Sequence, residues 1–137
     1  MTDDLQARLS AERDDKRALL RAVEHASLYI HETPDRRPFP DDAGIAAARA
    51  LAGPMPQTGA DSRDVIDKMN EGFSGACVNA TGGRYFGFVT GGVLPAALAA
   101  RWLSDVWDQN APLFRTSPAA DIVEEICEAW LKDLFGL

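Results

Sequence analysis

The stretch that decides the fold comes first in the chain: residues 3–31 read DDLQARLSAERDDKRALLRAVEHASLYIH. It contains neither glycine nor proline, and apolar residues recur at helical spacing: Leu5, Leu9, Leu19, Leu20, Val23, Ala26 and Ile30. As one helix it would be about 43 Å long, whereas a compact chain of this size has a diameter of roughly 37 Å. The helix therefore either extends onto another chain or breaks near Asp14 and Asp15.

Further helices are predicted downstream of two proline-rich connectors, at residues 33–40 and 54–59. Capping residues and prolines at first helical positions predict four helix starts, at Asp41 or Asp42, at Asp61 or Ser62, at Pro95 and after Ser117. The last helix should end at Gly136, with a buried face formed by Ile122, Val123, Ile126, Trp130, Leu131 and Leu134. The sequence thus predicts a mainly α fold.

Residues 84–89, RYFGFV, differ from the rest of the chain because they combine dense aromatic residues with flanking glycines. This composition predicts a short extended segment near residues 84–90. Two interpretations of the segment remain open. It is either part of the core or an apolar wall for a substrate, since flanking glycines allow a ligand to approach the backbone closely.

Composition and charge exclude several classes of protein. The 137 residues are 46% hydrophobic and 26% charged, which is typical of a single globular domain with a modest core. The net charge of −7 disfavours a nucleic acid partner. No apolar run is long enough to span a membrane and the N-terminus is acidic rather than basic, so we expect no membrane contact, no export signal and a cytoplasmic location.

The cysteines and histidines do not form a recognisable metal or catalytic pattern. Cys77 and Cys127 lack the close pairing of zinc ligands, so we predict no metal site and expect two buried thiols. His25 and His31 lie six residues apart on the first helix and therefore on different faces. Each is expected to be exposed or to have its hydrogen bonds satisfied rather than to act as a catalytic base.

Several ordered blocks carry a resemblance to a known family: residues 83–92 (GRYFGFVTGG), 95–100 (PAALAA), 107–110 (WDQN) and 117–119 (SPA). They resemble the N-terminal part of the pyridoxal-phosphate-dependent group II amino-acid decarboxylases, which include aromatic-amino-acid, glutamate and tyrosine decarboxylases. Residues 54–59 (PMPQTG), followed by Val65, Ile66 and Asp67, resemble an earlier segment of that family. The resemblance covers residues 34–137.

The resemblance implies the N-terminal helical segment of a fold-type I enzyme, a dimer in which these helices wrap over the partner subunit. Residues 1–79 would form the dimerisation segment, and residues 80–137 would begin the decarboxylase-like domain. Family substrate pockets, matched position by position, imply an amino-acid substrate bound by Phe88 and Thr90 on one segment and by Asn110 and Phe114 on another. Phe88 would pack against the substrate, and Asn110 would hydrogen-bond a polar group on it.

The resemblance also implies a cofactor, pyridoxal 5'-phosphate, held by a lysine as a Schiff base. In the family that lysine lies beyond the position at which this chain ends, Leu137. The three lysines present, Lys16, Lys68 and Lys132, lie in charged helical surroundings without a matching motif, so we expect no covalently bound cofactor and no activity from this chain alone. Its expected partners are a second copy, a second chain carrying the cofactor domain, or both. The alternative is a non-catalytic helical self-association module derived from the family.

Overall fold

A computed structural model describes residues 2–90 and 92–137, apart from the side chains of residues 2 and 3. Met1 and Gly91, the latter part of the first block of the resemblance, lie outside the described residues. The regular structure of the described residues consists of six α-helices and a 3-10 helix at Ser74–Ala76. The α-helices are α1 Thr2–Asp14, α2 Arg17–Glu32, α3 Asp42–Ala50, α4 Ser62–Phe73, α5 Pro95–Trp107 and α6 Pro118–Phe135. The described residues contain no β-strand, so the prediction of a mainly α fold is confirmed.

The long N-terminal helix breaks at Asp15 and Lys16, which confirms the second of the two alternatives. The Asp15 carboxylate accepts hydrogen bonds from the backbone N–H of Arg17 at 2.9 Å and from its Nε at 2.8 Å. The hydrogen bond from the Arg17 side chain lowers the pKa of Asp15 to about 2. Local bonding to a carboxylate thus replaces helical bonding where the sequence offers no apolar residue to pack.

The caps predicted for the later helices are present. Asp41 accepts a hydrogen bond from Gly44 N at 2.9 Å at the start of α3, and Asp61 accepts one from Arg63 N at 2.9 Å at the start of α4. Ser117 Oγ accepts one from Ala120 N at 3.2 Å, and Pro118 is the first residue of α6. These short-range contacts define where each helix begins, and they explain why sequence alone located the starts.

The chain divides into two compact units, Met1–Gly92 and Val93–Leu137. In the first unit α2 packs on α4, α4 packs on α3, and the 3-10 helix packs on α3. The half-buried face of α2 is rich in alanine (Ala18, Ala22 and Ala26), and small side chains allow neighbouring helices to approach closely. A Cβ atom added to Gly44 would overlap the carbonyl oxygen of Gly75, so α3 contacts the 3-10 helix backbone directly.

The connector between α2 and α3 is held by polar side chains from residues far along the chain. Asn79 Nδ2 donates to the carbonyl oxygens of Thr33 at 2.9 Å and Arg36 at 3.2 Å, and Asn79 N donates to Pro38 O at 3.0 Å. The Arg84 guanidinium donates to Arg36 O at 2.7 Å. These bonds fix the path of a segment whose prolines prevent it from forming a helix.

The prediction of an extended segment near residues 84–90 is wrong at residues 88 and 89, where the chain turns. Phe88 and Val89 both have a φ of 54°, in the left-handed region, and Thr90 N donates to Gly87 O at 3.3 Å. An extended segment needs a neighbouring strand for its backbone hydrogen bonds, and the described residues provide none. The backbone therefore forms a hydrogen bond within the turn instead.

The predicted burial is also wrong. No hydrophobic side chain among the described residues is buried, and the α6 face expected to be buried is 43% to 74% exposed. Cys77 and Cys127 are exposed free thiols rather than buried ones. In the second unit no residue of α5 or α6 is buried, because the unit has no further element to cover these helices.

No helix among the described residues combines the length and the apolar character needed to cross a membrane.

Candidate functional site

Phe88 and Thr90, the two pocket residues predicted in the first unit, lie on the turn at residues 87–90. The Phe88 side chain is 92% exposed and contacts no packed layer. Thr90 Oγ1 donates to Gly87 O at 3.2 Å, so its hydroxyl helps to close the turn. The turn therefore presents an aromatic ring to solvent, with the hydroxyl engaged in a local hydrogen bond.

Asn110 and Phe114, the two pocket residues predicted in the second unit, lie on the loop between α5 and α6. Asp108, with a left-handed φ of 48°, ends α5 and starts this loop. Thr116 Oγ1 lies 2.6 Å from Asn110 O and 2.9 Å from Leu113 O, which stabilises the loop ahead of α6. Both predicted side chains are exposed, Phe114 to 57%. The structure brings these two residues together on one loop.

The three lysines do not fit the role of a Schiff-base residue. Lys16 Nζ donates to the Arg13 carbonyl oxygen, and Lys132 forms an ion pair with Glu128 on the exposed surface of α6. Lys68 is on the exposed side of α4. A Schiff-base lysine needs an enclosed site that also holds the phosphate and the ring nitrogen of the cofactor, and none of these surroundings supplies one. No catalytic step is therefore assigned to them.

A polar cluster between α2 and α4 was not predicted from the sequence. Asp67 Oδ1 accepts a hydrogen bond from Arg21 Nε and lies 2.6 Å from His25 Nε2. The Arg21 guanidinium, with His25 as a second partner, lowers the pKa of Asp67 below its usual value. These contacts join α2 to α4.

A second unpredicted feature is the Arg36 side chain, which connects three parts of the first unit. Its guanidinium lies 4.1 Å from the centre of the Tyr29 ring and donates to Ser74 O at 2.5 Å and to Glu32 at 3.2 Å. Beside it is a shallow cavity of about 180 Å³, where Cys77 is also exposed. These hydrogen bonds use two of the five guanidinium N–H donors and hold the Arg36 side chain between α2 and the 3-10 helix.

The described part of the chain contains no group of three or more histidine, cysteine, aspartate or glutamate side chains close enough to hold a metal ion.

The signals for the two unpredicted features were present but ambiguous. Asp67 belongs to a segment noted for its resemblance, and His25 was expected to be satisfied, but their pairing joins residues 42 positions apart. Arg36 likewise contacts the carbonyl oxygen of Ser74, 38 positions along the chain. Sequence spacing does not encode such contacts, because they depend on how the helices pack.

Comparison of the chain with protein-family models, with curated proteins and with solved structures finds no match.

Proposed function

We propose that this chain is the N-terminal part of a pyridoxal-phosphate-dependent amino-acid decarboxylase, a carboxy-lyase. It contributes the dimer interface and one wall of the substrate pocket, while a cofactor domain outside these 137 residues supplies the lysine. Alone it is inactive. The observation that carries the proposal is that ordered blocks resembling this family lie on helices and loops whose apolar side chains are exposed.

The exposure of these helices is the physical reason to expect a partner. On α5, Leu103 is 52% and Val106 69% exposed, and on α6, Trp130 is 70% and Leu134 74% exposed. Burying one such side chain fully stabilises a protein by about 1.5–3 kcal/mol, so leaving many of them in water forgoes a large stabilisation. Extended apolar surfaces of this kind are typical of regions that another protein covers.

The pocket assignment is supported by the chemistry of the exposed groups. Phe88 offers an aromatic face that can pack against the apolar part of an amino acid. The Asn110 side-chain amide can donate to and accept from a polar substrate group, while its backbone oxygen is engaged by Thr116. Neither side chain is covered within its own unit, so each remains accessible to a substrate.

The proposal is tested by searching co-purifying and gene-adjacent proteins for a polypeptide that carries the cofactor lysine, and by mixing that polypeptide with the purified chain. We expect pyridoxal phosphate to give the absorption of a Schiff base with lysine. We also expect this chain to co-sediment with that polypeptide. The control omits this chain. A second polypeptide that binds the cofactor and decarboxylates amino acids equally well without this chain would contradict the proposal.

A non-catalytic self-association module is the second candidate, and one observation favours it. α2 carries the apolar residues Leu19, Leu20 and Ile30, each more than 50% exposed. Sedimentation equilibrium of the isolated chain and of Leu19→Glu tests this surface. A stable oligomer that dissociates in the variant, combined with no cofactor absorption in any mixture, would favour this candidate over the enzyme.

A further inference from the structure

The apolar surface of α6 is wider than a helix needs in order to pack on a single neighbour. At 100° per residue, most of its apolar side chains span an arc of about 200°, from Ala129 and Ile122 through Trp130 to Leu131. Asp133, in the last turn, lies within this arc, and Phe135 lies outside it. All of the side chains from Ile122 to Leu137 are exposed. A helix with such a wide apolar arc needs a groove that contacts it on more than one side.

The charges on α6 are almost all negative, and several border this arc. The helix carries five carboxylates and one lysine: Asp121, Glu124, Glu125, Glu128, Asp133 and Lys132. Lys132 pairs with Glu128. By helical geometry Glu124 and Glu125 lie just outside opposite edges of the arc, and neither forms an ion pair within the described residues.

We propose that α6 docks into an apolar groove edged by lysine and arginine side chains on a second polypeptide. Covering the arc brings Glu124 and Glu125 to the rim of the interface, where they lose part of their hydration and require positive partners. A second copy of α6 would place carboxylates against carboxylates, and an anionic membrane surface would repel them. The inference rests on the proposed function in one respect, since it assigns the surface that packs on α6 to another polypeptide.

A peptide titration tests the chemistry of this surface without the cofactor domain. The probe is a synthetic helical peptide of leucine and lysine whose apolar face is edged by lysines, and the comparison probe replaces lysine with glutamate. Binding to the full chain is measured by isothermal titration calorimetry at two salt concentrations. We expect the leucine–lysine peptide to bind, to weaken with salt, and to bind at least about tenfold more tightly than the leucine–glutamate peptide.

Two variants with the same net charge distinguish binding at α6 from non-specific electrostatic attraction between the basic peptide and the acidic chain. The test variant carries Glu124→Gln and Glu125→Gln, and the control carries Glu12→Gln and Asp14→Asn on α1. We expect the test variant to lose about fivefold or more in affinity relative to the control. Circular dichroism should be unchanged in both, because each amide has a helix propensity similar to that of the acid it replaces. Equal affinities of the two variants, absence of binding by the leucine–lysine peptide, or equally tight binding of the leucine–glutamate peptide would overturn the inference. Because no cofactor is involved, such a result is distinguishable from failure of the proposed function.

Discussion

At the scale of single residues, Asp67 shows how one carboxylate joins two helices. It accepts from Arg21 and pairs with His25, both on α2, while it lies itself on α4. Its pKa is lowered, so this carboxylate stabilises the fold when it is ionised. That contribution is complete above the pKa of an unfolded aspartate and is lost as the pH falls through the lower pKa of the folded state.

Replacing Asp67 with asparagine should therefore lower the melting temperature near neutral pH and flatten its dependence on pH on the acid side. The measurement is thermal unfolding, followed by circular dichroism, between acidic and neutral pH. Glu71→Gln, on the same helix and without an ion pair in the described structure, is the control. A wild-type acid dependence retained in Asp67→Asn would show that the cluster does not join the helices.

Asn79 is the second residue with a specific prediction, because it is only 3% exposed and its amide nitrogen donates to two carbonyl oxygens of the connector. Asn79→Ala leaves those oxygens without this donor, and we expect a loss of about 1–3 kcal/mol in the free energy of unfolding. Gln57→Ala, at an exposed position, should change it by less than about 0.5 kcal/mol. Urea denaturation measures both, and equal stabilities would refute the role assigned to Asn79.

Phe88 and Asn110 are the residues that test the pocket. In an enzyme reconstituted with the second polypeptide, Phe88→Ala or Asn110→Ala should lower kcat/KM for the amino-acid substrate by about tenfold, because each removes a contact to the substrate. Phe39→Ala, which removes another exposed phenylalanine outside the predicted pocket, is the control. Steady-state kinetics identical to wild type in the two pocket variants would contradict their assignment.

At the scale of the elements, the helices were predictable and their contacts were not. The caps at Asp41, Asp61 and Ser117 act within three residues, so the sequence located the helix starts closely. The turn at Phe88 and Val89 was missed, because aromatic and β-branched residues favour a strand only where another strand is present to pair with. The local sequence does not reveal whether such a strand is available.

The contact between α3 and the 3-10 helix gives a prediction at this scale. Alanine is a better helix former than glycine, yet a Cβ atom at Gly44 would overlap the Gly75 carbonyl oxygen, which is backbone and cannot rotate away. We therefore expect Gly44→Ala to destabilise the chain by about 1–3 kcal/mol. The control is Gly53→Ala, where no atom lies within 4 Å of the added methyl group. Chemical denaturation should separate the two variants; a Gly44→Ala protein as stable as wild type would show that the two helices are not held this closely.

At the scale of the whole molecule, the sequence predicted which helix faces are apolar but not that they would be exposed. Composition indicated a modest core, whereas no described hydrophobic side chain is buried. Hydrophobic periodicity identifies the apolar face of α6. It does not identify the surface that packs against this face. For the same reason the four predicted pocket residues could be placed only on exposed loops and turns, in two separate units.

The most direct measurement is the release of carbon dioxide from carboxyl-labelled amino acids, using aromatic amino acids and glutamate as substrates. Reactions contain this chain alone, the cofactor-carrying polypeptide alone, or both, each with pyridoxal phosphate. The proposal predicts labelled carbon dioxide only from the mixture, rising with the concentration of this chain until the second polypeptide is saturated. No release from the mixture, or equal release without this chain, would contradict it.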